Sequence, residues 1–328
     1  MTALSRKIWP LLGYILLSTM VITLLVSTVL SAFNYQLSGG IITLVVLIGA
    51  VVAIFTEGSR IITEKDGDEK TPARILIYEF LAVVIGGGLT GLLSLELGLG
   101  PVVAASLIGI LAHLEVPKYG VPAYTGAFVG MTSNALLFNR YEVIIASVLA
   151  GFVYILTRKL FAGVGGKLGT IALIGVTITG LILNRQFMIT PMYDTRTNGL
   201  IILVAIIATP LTFYLNCIKG QGPVLASSVV GLLAGLLLPK IFPDYGGTLA
   251  VVAICASFGG MSNQKRCPFI WMLIEAGLFT GVVFVFSTPL LGGAGGKLGT
   301  IAFGSILATH GYLLLYRQFS HHPPQSAR

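Results

Sequence analysis

Gly165-Gly166-Lys167-Leu168-Gly169-Thr170-Ile171-Ala172 recurs unchanged as Gly295-Gly296-Lys297-Leu298-Gly299-Thr300-Ile301-Ala302, at an offset of 130. At the same offset Phe128-Val129-Gly130-Met131 answers to Phe258-Gly259-Gly260-Met261, followed by Thr132-Ser133-Asn134 in the first copy and Ser262-Asn263 in the second. Farther upstream, Gly100-Pro101-Val102-Val103-Ala104 matches Gly222-Pro223-Val224-Leu225-Ala226, and Pro117-Lys118 matches Pro239-Lys240, both at an offset of 122. The second copy therefore holds eight extra residues between its Pro-Lys and its Phe-x-Gly-Met. Stations repeated in one order at nearly constant spacing mark an internal duplication.

The medium of this duplication follows from composition. Only 10% of the 328 residues are charged, against about 25% in a soluble domain. Hydrophobic residues make up 55% and mean hydropathy is +0.93, so too little charge is present to wet a water-facing surface. This excludes a soluble enzyme, a secreted disulfide scaffold, a disordered chain and a nucleic-acid module. A β-barrel would alternate polar and apolar residues, whereas here the apolar runs are long and continuous. In lipid such runs are α-helices, because every backbone N–H and C=O must be paired within its own segment. The sequence thus predicts an all-α integral membrane protein.

Apolar segments fall at about 8–33, 39–57, 75–95, 100–114, 120–138, 142–162, 168–184, 199–216, 222–238, 247–262, 268–290 and 299–316. Most approach the ~20 residues needed to cross the hydrocarbon, which gives an expectation of twelve transmembrane helices. The first stretch, from Ile8 to about Phe33, is far longer than a signal-peptide core and reads as a retained helix. The expected organisation is two N-terminal helices (1–58), a charged loop (59–74), repeat A (75–185), repeat B (199–316) and a short tail (317–328). The loop carries Arg60, Glu64, Lys65, Asp66, Asp68, Glu69, Lys70 and Arg74, and the tail carries His321 and His322, read as solvated.

Orientation follows from basic residues, which are retained in the cytoplasm. If all twelve segments cross and both termini are cytoplasmic, 15 of the 20 Lys and Arg lie inside; Arg140, Arg185, Arg196, Lys240 and Lys297 lie outside. Five crossings per half make the repeat inverted. If 120–138 and 247–262 instead dip in and return, the repeat is parallel and the split is again 15 to 5. Length favours crossing, since the 21 residues between Lys118 and Arg140 would carry a returning chain only about 15 Å deep.

Three sets of residues are candidates for function. Phe128, Gly130, Met131, Thr132, Ser133 and Asn134, with Phe258, Gly259, Gly260, Met261, Ser262 and Asn263, place polar side chains after a glycine step inside apolar sequence. Such paired interruptions free backbone groups to face a cavity and coordinate a solute in transporters built from inverted repeats; the alternative is small-residue packing with a polar helix end. Gly165, Gly166, Lys167, Gly169 and Thr170, with Gly295, Gly296, Lys297, Gly299 and Thr300, are no Walker A motif, because Leu follows the Lys and no strand precedes it. They read as a tight turn into a helix, with an anion or lipid-headgroup contact as the other reading. Glu275 and His310 are candidate coupling groups, because an intramembrane ionisable residue is a functional hypothesis by default. Glu275 lies seven residues after Pro268, about 10 Å along a helix, so an interfacial pairing is its alternative. Glu79, Glu96 and Glu115 lie near segment ends and read as interfacial.

Cys217, Cys255 and Cys267 have neither disulfide arithmetic nor metal-ligand spacing, and no catalytic grouping, cofactor motif or metal motif is present. The expectation is a multi-pass permease of the cell membrane that contacts lipid and a small solute or ion and works by alternating access, with proton or sodium coupling open. A channel and a non-transporting scaffold subunit are the alternatives. The 41 glycines are compatible with close helix contacts within one chain or in a homo-oligomer.

Overall fold

The computed structural model describes residues 3–63 and 71–320. The acidic and basic residues Glu64–Lys70 and the pair His321 and His322 lie outside the described residues. Each apolar segment overlaps one α-helix: α1 (Ala3–Tyr35), α2 (Leu37–Thr63), α3 (Ala73–Gly91), α4 (Pro101–Glu115), α5 (Gly120–Gly130), α6 (Arg140–Thr157), α7 (Lys167–Ile182), α8 (Thr195–Phe213), α9 (Pro223–Ile241), α10 (Gly246–Gly260), α11 (Ile270–Phe286) and α12 (Lys297–Ser320). Seven helical stretches among the described residues are long and apolar enough to cross a membrane. Helices α4, α5, α7, α10 and α11 have 11 to 17 residues and fall short of that length.

The matching strings in the two halves adopt matching local structure. Helices α3 and α8 both run on into a wide π turn, Leu92–Glu96 and Tyr214–Ile218. Each is followed by a glycine with φ near +78° and extended ψ, Gly100 (76°, 158°) and Gly222 (79°, 158°), a conformation that a Cβ would obstruct. Pro101 and Pro223 then open the next helix, where the missing N–H costs nothing.

Contacts give the helix directions. Arg158 at the end of α6 pairs with Glu79 near the start of α3 at 3.0 Å, while Gly91 at the end of α3 faces Val143 near the start of α6, so the two are antiparallel. Helix α5 runs alongside α3 in the same direction, Gly126 against Val83 and Gly130 against Gly87 and Thr90. Helix α10 packs on α8 in the corresponding way, with Gly260 against Thr209 and Thr212. The halves meet along α4–α9, where Gly109 faces Ser228 and Gly231 faces Ser106, and along α7–α12. Helices α1 and α2 touch both halves: Gly13 abuts Leu156 of α6, and Gly49 abuts Ala308 of α12. These backbone-close crossings at small residues are how helices associate where lipid offers no hydrophobic drive.

The surface is inverted relative to a soluble protein. Leu30, Phe55, Ile85, Phe152 and Ile207 are more than half exposed, while Thr28, Thr90, Thr170, Ser257 and Ser305 are fully buried. The buried hydroxyls of Thr28 and Ser305 bond carbonyls four residues back in their own helices, as polar groups must without water. An apolar exterior on long helices defines a helical membrane protein in contact with lipid.

Candidate functional site

The site grows from four helix ends. Helices α5 and α10 stop at Gly130 and Gly260, and α7 and α12 start at Lys167 and Lys297. Helix α5 ends facing the start of α12, and α10 ends facing the start of α7. Thr132 Oγ1 accepts from Gly295 N at 3.1 Å, and Ser262 Oγ accepts from Gly165 N at 3.0 Å. Ser133 N donates to Gly293 O at 2.9 Å, and Asn263 N donates to Gly163 O at 3.0 Å. Each hydroxyl also bonds a carbonyl three residues back, Thr132 to Val129 and Ser262 to Gly259. The polar step after each broken helix therefore satisfies the turn that opens a helix in the other half.

The two Gly-Gly-Lys-Leu-Gly-Thr strings face each other. A Cβ at Gly169 would lie 2.5 Å from Gly299 Cα, and one at Gly299 would lie as close to Gly169 Cα. Gly166 and Gly296 have φ of 84° and 89°, and a Cβ at either would strike the backbone of the opposite string. Both lysines turn back onto the preceding loop. Lys167 Nζ donates to Thr157, Arg158 and Leu160 carbonyls, and Lys297 Nζ to those of Ser287 (2.7 Å) and Thr288. The turn reading of the sequence accounts for the glycines.

The two ends of this core differ. On one, a cavity of about 430 Å³ lies between the halves. It is lined from repeat A by Phe128, Met131, Thr132, Ser133 and Asn134 and from repeat B by Phe258 and Gly292–Leu298, with Thr190 and Tyr193 from the connecting segment. Asn134 is exposed, whereas Phe128, Thr132 and Phe258 are buried, so the cavity runs inward from the surface to aromatic rings. The Phe128 and Phe258 centroids are 4.4 Å apart, and Tyr124 packs on Phe128 at the same distance. Among the described lining residues Lys297 is the only charged side chain, and neither Asp nor Glu is present.

At the other end Arg266, just beyond the α10 break, ties several elements together. Its Nε donates to Ala162 O (3.0 Å) and its Nη2 to Glu57 Oε2 (3.1 Å), and Nη1 lies 3.2 Å from His310 Nε2. Glu57 Oε1 also accepts from Phe161 N at 3.1 Å. Position 136, which corresponds to Arg266 at the offset of 130, is a buried leucine.

The predicted breaks thus divide. Phe128, Met131, Thr132, Ser133, Asn134 and Phe258 line the cavity; Met261, Ser262 and Asn263 lie at the opposite end; Gly130 and Gly260 allow close helix contact instead, while a Cβ at Gly259 would meet only ordinary neighbours. His310 belongs to the Arg266 cluster. Glu275 is partly buried on α11, and its Oε2 has no hydrogen-bond partner. Glu79, expected at an interface, is buried against Arg158. Glu57 was not a sequence candidate, since it ends an apolar segment and looks like any flanking charge. Glu142 and Arg185, paired at 2.6 Å, were also missed as a pair because their partnership spans 43 residues.

The fold and its core define a helical membrane protein with a duplicated central motif. Comparison with protein-family models, curated proteins and solved structures finds no match for the chain.

Proposed function

We propose that the chain is a twelve-pass carrier of the cell membrane, built of two inverted five-helix repeats, that moves a small neutral or anionic solute between its halves by alternating access. The observation that carries this reading is the solute-sized cavity that both halves line beside the broken helix ends. A continuous channel is less well supported, because the cavity stops at Phe128 and Phe258. The inverted arrangement draws support from helix directions: α5 runs with α3, and the chain beyond Gly130 continues until Arg140 lies 3.8 Å from Glu96, at the far end of α3. Helix and break together make one passage, giving five per half. Positive-inside counting then assigns the cavity, on the side of Arg140, Arg185 and Arg196, to the outer face.

The solute class follows from the lining. A cation entering would meet no carboxylate among the described lining residues, whereas the Thr132 and Ser133 hydroxyls and the Asn134 amide suit a neutral or negative group. Glu275, an ionisable side chain partly buried on α11, is the candidate for proton or sodium coupling.

Counterflow in proteoliposomes tests the carrier reading: uptake that saturates and is trans-stimulated is expected. Flux linear to high concentration indicates a channel, and no flux of any solute in the panel indicates a scaffold subunit. Membrane-impermeant labelling of Lys118→Cys and Lys240→Cys tests the topology. Opposite sides are expected; one and the same side requires the parallel repeat.

A further inference from the structure

The cluster at the end opposite the cavity draws on a part of the molecule that the repeat does not contain. Glu57 belongs to α2, is 6% exposed, and bonds at once to Arg266 of repeat B and to the Phe161 amide of repeat A. Arg266 in turn bonds the Ala162 carbonyl of repeat A and approaches His310 of α12. His310 Nδ1 is 3.1 Å from Arg266 O. One carboxylate from outside the duplication thus ties the halves together at one end. At the cavity end the corresponding position is Leu136, a buried apolar side chain that can make no such tie.

We propose that the Arg266–Glu57 pair is a latch that holds the two halves together at the end opposite the cavity, so that the N-terminal helix pair sets which face is open. This rests on the carrier reading above. The charges are suited to a latch: a partly buried guanidinium and a buried carboxylate are strongly coupled when paired, and separating them leaves each poorly solvated. The closed state is therefore held by a contact that a modest relative movement of α2 and the halves would lose as a unit. Helix α2 is placed to move with α12, against which it packs through Gly49 and Gly311.

The experiment uses full-length protein in detergent, with Cys217, Cys255 and Cys267 replaced and one reporter cysteine added. Ala294→Cys reports the cavity, which Ala294 lines. Val164→Cys, at the corresponding position of repeat A and buried, reports the latched face. With the latch intact, maleimide labels Ala294→Cys quickly and Val164→Cys slowly. With Glu57→Gln, labelling at Val164→Cys should rise by about tenfold and labelling at Ala294→Cys should fall, as a shift of a two-state equilibrium requires. Glu57→Asp should lie between the two. Arg266→Gln releases the same latch from its other partner, and the double variant should change the rates no more than either single one.

Unchanged Val164→Cys labelling in folded Glu57→Gln and Arg266→Gln proteins overturns the proposal, whatever their melting temperatures. A rise at both reporters overturns it too, since that is loosening without exchange of faces. If Glu57→Gln does not fold, Arg266→Gln alone decides by the same readings. Because labelling needs no solute, absence of flux would count against the carrier reading and leave this result separate.

Discussion

The end of the core that holds the cavity and the end that holds the Arg266 cluster are built from the same sequence stations and have different contents. Thr132 and Ser262 make corresponding bonds to Gly295 and Gly165, so the frame is common to both. Unduplicated positions distinguish them: Arg266 stands against Leu136, and Glu57 lies on a helix with no counterpart. The repeated stations thus account for the common frame, while single positions outside the match account for the ion pair at one end. An exactly symmetric pair would have no reason to prefer one face, so under the proposed carrier reading such an asymmetry is what would set a resting state.

The largest expected effect tests the common frame. Gly169→Leu and Gly299→Leu each insert a side chain where the other string's Cα lies 2.5 Å from a Cβ. Backbone cannot yield as a side-chain tip can, so overpacking of about 3 kcal/mol or more is expected. Fluorescence-detected size exclusion should show both proteins aggregated. Gly88→Leu and Gly199→Leu, where a Cβ meets nothing within 4 Å, should elute as wild type. A monodisperse Gly169→Leu protein would mean that the strings do not cross at their glycines.

Next in size is a pair that separates frame from function. Thr132→Val and Ser262→Ala each leave a buried glycine N–H without its acceptor, at a cost of about 1–3 kcal/mol. Similar falls in melting temperature are expected for the two. Solute affinity should change for Thr132→Val, which lies on the cavity, and hold for Ser262→Ala. Equal effects on affinity would mean that the solute meets both ends alike and that the cavity is not the binding site.

Legibility in the sequence follows the same division. The helices were readable because apolar runs in lipid have one solution, and the breaks were readable because glycine followed by Ser, Thr or Asn stands out in apolar sequence. The exchange between halves was not: that Thr132 serves Gly295 across 163 residues is a fact of packing. Short helices were misjudged in length for a related reason. The apolar stretch 120–138 runs on past the end of its helix at Gly130, because Leu136, Leu137 and Phe138 resume the apolar run after the polar step. Glu57 and Arg266 carry no local signal, because each resembles the charged flank that ends most membrane helices.

A smaller effect concerns coupling. Glu275 lies on α11, and the corresponding position of repeat A is Ile145, so any coupling at this position would be confined to one half. Glu275→Gln keeps the shape and removes the charge. Gradient-driven accumulation should be lost while counterflow persists. Accumulation that still follows the proton or sodium gradient would remove Glu275 from the mechanism.

The smallest expected effect lies beside the cavity mouth, at a cap that stands on the surface. Asp194 opens α8, accepting from the amides of Arg196 and Thr197 and from the Thr197 hydroxyl, and sits next to the cavity residue Tyr193. The Thr197 hydroxyl bond, more than any other contact, holds the carboxyl below the usual aspartate range. A depressed native value means that the ionised cap favours the folded state. That contribution is full above the ordinary aspartate pKa of about 3.9 and fades as pH falls through the lower native value. Asp194→Ala should therefore melt slightly below wild type at neutral pH, with the gap narrowing as the solution is acidified past that range. Labelling at Ala294→Cys should be unchanged, since the cap fixes a helix start and not the balance of faces. A gap that stays constant with pH would assign the cap to shape alone, and altered labelling would make the start of α8 a second determinant of which end is open.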